Sequence, residues 1–360
     1  MRVNWSNESC YQFSNTEFDI ILRVKLSMDS LGILACLVAL AVITLSKAYK
    51  RHEIRLVIYF LVADIFQAIT HIVELTPIEH VNGEVVVKEG AEGLCAFYGF
   101  LDQIALWMCN VAIIWIMLYM LWIANKLRTV QNISNNKISI KTELIGLCFL
   151  LFFPLTFNWI PFIWNMYGIS GLWCWIKESR GYCEEYELGL TLIFTLFYGP
   201  LIVIVTFSFV SLMAIITILC KGALNRNAVA RRTYSRCVKN TILIAIYPLI
   251  YNLICLLPIA NRIYSASNGS SGGEPFFPLW IAHTLAEPAR VLIPPIAFLL
   301  HPSSWKTMFR RKTEIESSPT PPIYIRPEDS TDIDTHIAIS TSDSTPKIEL
   351  YGTMLVLSKE

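Results

Sequence analysis

The chain has 360 residues, of which 54% are hydrophobic and only 16% are charged, against about 25% charged in an ordinary soluble domain. That balance excludes a water-soluble enzyme or binding module and marks a polytopic membrane protein. The net charge of +1 gives no reason to expect a nucleic-acid partner, so the useful quantity is where the cations sit.

Residues 1–24 form a mostly polar arm with sequons at Asn4 and Asn7 and a cysteine at Cys10. The arm has no apolar stretch before a small-residue cleavage site, so no removable signal peptide is expected. Seven apolar runs follow: Leu26 to Leu45, Ile54 to Leu75, Cys95 to Ala124, Leu144 to Trp164, Leu188 to Leu219, Thr241 to Ala260 and Phe277 to Leu300. Each reaches the roughly 20 helical residues that span a hydrocarbon core about 30 Å thick. The expected fold is therefore all-α, a seven-transmembrane helix bundle over residues 25–312, with membrane lipid as its surrounding.

Alternate connections and the segment after the last run carry eighteen Lys and Arg, against seven on the other side. The positive-inside rule then puts the N-terminus outside and the C-terminus in the cytoplasm. A multi-pass protein of the plasma membrane is expected. Asn268 falls outside with Asn4 and Asn7 as a glycosylation site, whereas the sequon at Asn132 falls inside.

Cys10, Cys95, Cys174 and Cys183 lie on the outer side, where disulfides form, and four cysteines allow three connectivities. The favoured bridge joins Cys95, at the head of the third run, to Cys174 in Trp173-Cys174-Trp175. Cys10 with Cys183 is the second.

Inside the second run, Asp64, Gln67, His71 and Glu74 are spaced by three, four and three, which puts them on one helical face. His283, Glu287 and Arg290 do the same in the seventh. The third adds Asp102, Gln103 and Asn110, and the fourth adds Asn158. Charged groups in spans are expensive and mark functional sites by default. His71, Glu74, Asp102, Gln103, His283 and Glu287 are the ligand-binding candidates, in a polar cavity open to the outside. Asp64, Gln67, Asn110 and Arg290 form a buried polar network, with Arg290 expected to pair with Asp64 or Glu287.

Two imidazoles and two carboxylates, from His71 with Glu74 and His283 with Glu287, could also hold a transition metal. That keeps an intramembrane metallohydrolase as an alternative, although no catalytic residue, metal or cofactor is expected. A transporter would show internal repeats, and none is evident. A retinal protein would need a lysine in the seventh run, and Phe277 to Leu300 contains none. Prolines at 154, 161, 200, 248, 258, 288, 294 and 295 remove backbone donors and favour kinks.

After the last run, Trp305, Met308 and Phe309 interleave with Lys306 and Arg310. That spacing fits a short amphipathic helix at Ser303 to Arg311 on the inner leaflet. Residues 313–360 are rich in Ser, Thr, Pro and acidic residues and read as a disordered cytoplasmic tail, one that phosphorylation could turn toward a kinase or an arrestin-like regulator. Leu350 to Leu357 is apolar enough to dock.

The external N-terminus, seven spans, tethered outer loop and basic third inner loop together resemble a G-protein-coupled receptor. Leu61-Val62-Ala63-Asp64 is similar to the rhodopsin-like second helix. The third run, however, ends in Trp122-Ile123-Ala124-Asn125 without D-R-Y, and Ile293-Pro294-Pro295-Ile296 stands where N-P-x-x-Y would be.

Tyr247-Pro248-Leu249-Ile250-Tyr251 with Pro258, Cys95 with Gly99-Phe100, and Trp173-Cys174-Trp175-Ile176 resemble the slime-mould cyclic AMP receptors and fungal glucose-sensing receptors. That group is distantly similar to the secretin and adhesion receptors, to which Asn158-Trp159-Ile160-Pro161 and Gly199-Pro200 add likeness. The resemblance implies a small extracellular ligand of open identity, rearrangement of the fifth and sixth helices, and a heterotrimeric G protein touching Arg231, Arg232, Arg236 and Lys239.

Overall fold

The structure is a computed structural model that describes residues 8–12, 14–81, 84–128, 140–177, 179–180, 184–185, 187–224, 245, 247–264, 277–300, 348–351 and 354–357. The expected features at Asn4, Asn7, Asn132, Asn268, Cys183, Arg231, Arg232, Arg236, Lys239 and Ser303 to Arg311 lie outside the described residues, and with Cys183 so does the second bridge. Residues 1–313 and 314–360 are two separate compact units.

The first unit is a bundle of seven spans. The first three are α1 (Asn15–Leu45), α2 (His52–Val73) and α3 (Glu92–Arg128), and the fourth is broken into α4 (Ile140–Phe152), a 3-10 turn (Pro154–Thr156) and α5 (Ile160–Ile163). The fifth runs through α6 (Glu187–Ile193), a π-helical turn (Phe194–Tyr198) and α7 (Gly199–Leu224). Residues 247–264 are helical and form α8, and α9 spans Phe277–Leu300. Among the described residues, five helices are long and apolar enough to cross a membrane, and α8 and α9 complete the seven.

α1 starts ten residues before the expected boundary at residue 25. The reason is a capping box: the Ser14 hydroxyl accepts from Glu17 N–H at 3.2 Å, and Glu17 accepts from Ser14 N–H at 2.9 Å. Together these satisfy two of the orphan donors of the first turn. Lys25 is thereby carried inside the bundle with Asp29, at 2% and 0% exposed, instead of flanking it.

α3 is the central post, with 72% of its most apolar window buried against 33% for α1. Residues such as Leu31, Leu34 and Leu37 on α1 stay exposed, as a lipid-facing surface requires. α1 packs on α9 and α2, and α3 on α2, α7 and α4. Gly32 permits the α1–α9 approach, since a Cβ there would meet the Val291 side chain at 2.9 Å.

Proline chemistry shapes the fourth and fifth spans. Pro200 cannot donate to the carbonyl four residues earlier, Leu196. That carbonyl instead accepts from the Trp107 indole of α3 at 3.1 Å, and Gly199 N–H closes a five-residue turn onto Phe194 O. In the fourth span, Pro154 and Pro161 bracket the break. The Asn158 carbonyl accepts from Tyr167 Oη at 2.6 Å, while its buried amide has no side-chain partner among the described residues.

The connections on the side of Cys95 hold sheet structure that the helix-based expectation lacked. β2 (Ile78–Val81) and β3 (Glu84–Val87) form a hairpin joined by β1 (Glu8–Gln12) in the order β1-β3-β2. β4 (Tyr167–Ser170) and β5 (Trp173–Ile176) form a second antiparallel hairpin, buried along its whole length. Two short strands, β6 (Ser179–Arg180) and β7 (Glu184–Glu185), pair beyond it.

The second unit, expected to be structureless, contains an antiparallel hairpin of β8 (Ile348–Tyr351) and β9 (Met354–Leu357). β8 places Ile348 and Leu350 at period two, the pattern of a β-strand, while β9 is apolar throughout.

Candidate functional site

A ladder of buried ionisable groups crosses the outer half of the bundle, the half capped by the β4–β5 hairpin. The stripe on α2 builds its first rail: Asp64, Gln67, His71 and Glu74 are each 0–1% exposed, as their shared face dictates.

His71 stands between two acids on two other helices. Its Nδ1 lies 3.2 Å from Asp29 Oδ1 of α1, and its Nε2 lies 3.4 Å from Asp102 Oδ1 of α3. Only an imidazolium offers a donor on both ring nitrogens. Thr70 Oγ1 adds a hydrogen bond to Asp102 at 3.3 Å.

Lys25 of α1 bridges α2 and α9. Its Nζ lies 2.7 Å from Glu74 Oε1 and 3.4 Å from Glu287 Oε2, and 4.8 Å from the centre of the Trp173 ring of β5. Glu287 also faces His283, whose Nε2 lies 3.4 Å from Glu287 Oε1. The other His283 nitrogen, Nδ1, lies 2.8 Å from the Asn261 amide nitrogen of α8.

One level deeper, Cys109 Sγ approaches Asp64 Oδ1 at 3.4 Å and Gln67 Oε1 at 3.3 Å. Tyr251 Oη donates to Asn110 Oδ1 at 2.9 Å. Arg290 is 2% exposed, with its guanidinium 5.8 Å from the Tyr251 ring centre and 3.9 Å from Cys255 Sγ. The expected ion pairs of Arg290 with Asp64 or Glu287 do not occur among the described contacts. Lys25, once drawn inside by the early start of α1, takes Glu287 instead.

The hairpin seals this ladder from outside. Cys174 of β5 is bonded to Cys95 at the head of α3, with their Cα atoms 5.2 Å apart. Trp175 Nε1 donates to Gln103 Oε1 at 2.5 Å. Gly99 makes the close approach possible, because a Cβ there would meet Trp175 Cα at 2.9 Å. At the hairpin's edge, burial holds the Lys177 ammonium below its ordinary pKa. Under the hairpin lies a cavity of about 10 Å³, lined by Phe18, Ile21, Lys25, Trp173 and Thr284 among others, room for about one water. That volume is too small for an organic ligand.

No three His, Cys, Asp or Glu side chains among the described residues are placed to hold one metal ion. Lys25 lies between Glu74 and Glu287, where a metal would need free carboxylate oxygens.

A second polar cluster links α2 and α4 at the opposite end. Arg55 grips Glu143 with Nε at 2.5 Å and Nη2 at 2.7 Å, and Tyr59 Oη donates to the same carboxylate at 2.5 Å. His52 Nδ1 lies 3.5 Å from Glu143 Oε2. Sequence reasoning placed Glu143 just before the fourth run and Arg55 among topology-setting cations, so it missed the pair. The missed outer residues, Lys25 and Asp29, were readable from Ser14-Asn15-Thr16-Glu17, a capping-box pattern, and from their i,i+4 spacing.

The seven-helix fold has a solved counterpart. The crystal structure of squid rhodopsin aligns with 85% of this chain and 89% of its own, at a TM-score of 0.54 and 15% identity. The chain has a rhodopsin-like seven-helix fold. No protein-family model and no curated protein matches the chain. At that identity the likeness carries the fold alone, and the ligand chemistry has to come from the ladder itself.

Chemically, the ladder sets buried charges against one another. Each acid has a cation, a hydroxyl or, for Asp64, a thiol within reach, and the ties run between α1, α2, α3, α8 and α9. A change of charge at any rung must therefore be felt by several helices.

Proposed function

We propose that the chain is a G-protein-coupled receptor, in which an extracellular signal acts on the outer ladder and a heterotrimeric G protein reads the inner face. The observation that carries this reading is the ladder itself: Lys25 joins Glu74 and Glu287 beneath a hairpin tethered by Cys95–Cys174, in a rhodopsin-like bundle. Buried charges that hold helices to one another are bistable elements, since each alternative pairing favours another packing. Helices weakened by Pro200, Pro288, Pro294 and Pro295 are suited to shift between such packings.

Within the receptors, the cyclic AMP and fungal glucose receptor group is the proposed kin. Its support is Tyr247 and Tyr251 of the sixth-span motif, which pack edge-on against Phe60 of α2 with ring centres 6.2 and 6.1 Å away. His71, Glu74, Asp102, Gln103, His283 and Glu287 are the proposed signal-responsive residues. Arg231, Arg232, Arg236 and Lys239 are the proposed G-protein contacts, and the Ser- and Thr-rich tail is the proposed site for a kinase or arrestin-like regulator. Residence in the plasma membrane, with glycans at Asn4, Asn7 and Asn268, belongs to the same proposal.

The test is a screen of cells expressing the chain, with G-protein dissociation as readout and cyclic nucleotides, sugars and small polar metabolites as probes. A response lost in Glu74→Gln and His283→Gln supports the reading. Uptake of a probe into chain-bearing vesicles without G-protein dissociation points instead to a transporter.

A further inference from the structure

The cavity under the hairpin admits about one water, too little space for an organic ligand. What the ladder can take without moving a helix is a proton. We propose that His283 is a proton-binding site next to the residues that line this cavity, and that the Asn261 amide switches with it. This deepens the receptor reading, on which its signalling consequence rests; its chemistry rests on geometry.

The two buried imidazoles are held differently. His71 has a carboxylate oxygen 3.2 Å from Nδ1 and another 3.4 Å from Nε2, with the Gln67 amide nitrogen also 3.4 Å from Nε2. His283 has a carboxylate only at Nε2. At Nδ1 it meets the Asn261 amide nitrogen at 2.8 Å, a hydrogen bond that forms only when Nδ1 carries a lone pair. With the Asn261 amide nitrogen donating to Nδ1, the present geometry is that of a neutral ring whose Nε2 faces Glu287 Oε1 at 3.4 Å. Addition of H⁺ from the outer water puts an N–H on Nδ1 and turns the favourable contact into donor against donor. A half-turn of the Asn261 amide, which exchanges its nitrogen and oxygen at nearly constant shape, restores an acceptor. The pair thus has two satisfied states that differ by one proton.

Charges facing His283 come from several elements. Glu287 and Arg290 face it from α9, and Arg262 from α8. Lys25 of α1 reaches it through Glu287, with His71 of α2 also acting on Glu287 and Asp102 of α3 coupled to it. β5 contributes an aromatic ring: Trp173 packs edge-on at 5.3 Å, while Trp280 of α9 stacks at 6.0 Å. Because Trp173 and the adjacent Thr284 both line the cavity, the site lies beside a space that admits about one water. New charge on the ring also competes with Lys25 for Glu287, which loosens the tie between α1 and α9.

The experiment is nitrogen-15 NMR of histidine in the full chain, in lipid nanodiscs, from about pH 8 to about pH 5, the range in which imidazoles titrate. The six histidines give few enough signals for His283 to be assigned by its loss in His283→Gln. The expected result is an Nε2–H tautomer at high pH that becomes an imidazolium within the range. Asn261→Asp, which places an oxygen at either rotation of the group, should raise the midpoint by about one unit or more. A His283 signal charged throughout, or neutral throughout, overturns the proposal, as does an unmoved midpoint in Asn261→Asp. If His283→Gln fails to fold, the shift of the sole signal that responds to Asn261→Asp decides alone. G-protein nucleotide exchange is measured on the same nanodiscs: titration without any exchange under all probes sinks the receptor reading and leaves the proton site standing, whereas exchange without titration does the reverse.

Discussion

The Lys25 ammonium lies 2.7 Å from the Glu74 carboxylate and 3.4 Å from that of Glu287, so one side chain of α1 holds together the outer ends of α2 and α9. Breaking a buried pair by removing one partner leaves an uncompensated charge and costs about 3–5 kcal/mol, whereas removing all partners costs far less. Lys25→Met should therefore lower thermal stability in detergent sharply. The triple change Lys25→Met, Glu74→Gln, Glu287→Gln should recover most of the loss. Additive losses in the thermal melts would remove Lys25 from its proposed place.

The disulfide closes a span of 79 residues, and loss of a native disulfide typically costs about 2–5 kcal/mol. Cys174→Ser should cut folded protein at the cell surface and lower the melting temperature of what remains. Cys36→Ser, at a buried free thiol, leaves the bridge intact and should keep wild-type surface levels far better than Cys174→Ser.

Trp107→Phe leaves the Leu196 carbonyl without the indole donor it now uses, and an unsatisfied buried acceptor costs about 1–3 kcal/mol. Pro200→Ala restores a backbone N–H that can serve the same carbonyl. The double variant should accordingly be more stable than Trp107→Phe alone, as read by thermal melts. Equal stability of the two would show that Pro200 is not what frees the carbonyl.

How much of this was legible follows from periodicity. Asp64, Gln67, His71 and Glu74 could be read as one buried face because helical spacing alone decides which residues share a side. Cys95 and Cys174 could be paired because topology left few cysteines outside. Lys25 could not be placed by hydropathy, since it precedes the apolar run and counts as a flanking cation. The capping box at Ser14 and Glu17 moves the helix start, and with it the residue's environment. The π-helical turn at Phe194–Tyr198 has no local signature beyond Gly199-Pro200, and the strands of the outer hairpins depend on partners distant in sequence.

At the other end, the Arg55–Glu143 pair joins α2 to α4 through two guanidinium nitrogens. Bidentate pairs are among the stronger side-chain hydrogen bonds, and Glu143 is buried while Arg55 is partly exposed. A double-mutant cycle with Arg55→Met and Glu143→Leu should return a coupling of about 1–3 kcal/mol. Zero coupling in thermal stability would mean the two spans are not tied there.

The central claim is that the outer ladder controls the inner face. The most direct measurement is guanine-nucleotide exchange on heterotrimeric G proteins by the chain in lipid vesicles. It is read across about pH 8 to about pH 5 and with each small polar probe, for wild type and for Lys25→Met, Glu74→Gln, Glu287→Gln. Exchange that responds to at least one of these stimuli in wild type, and is fixed at one level in the triple variant, is the predicted result. Exchange equal to that of empty vesicles under every condition, or an unchanged response in the triple variant, would contradict the account.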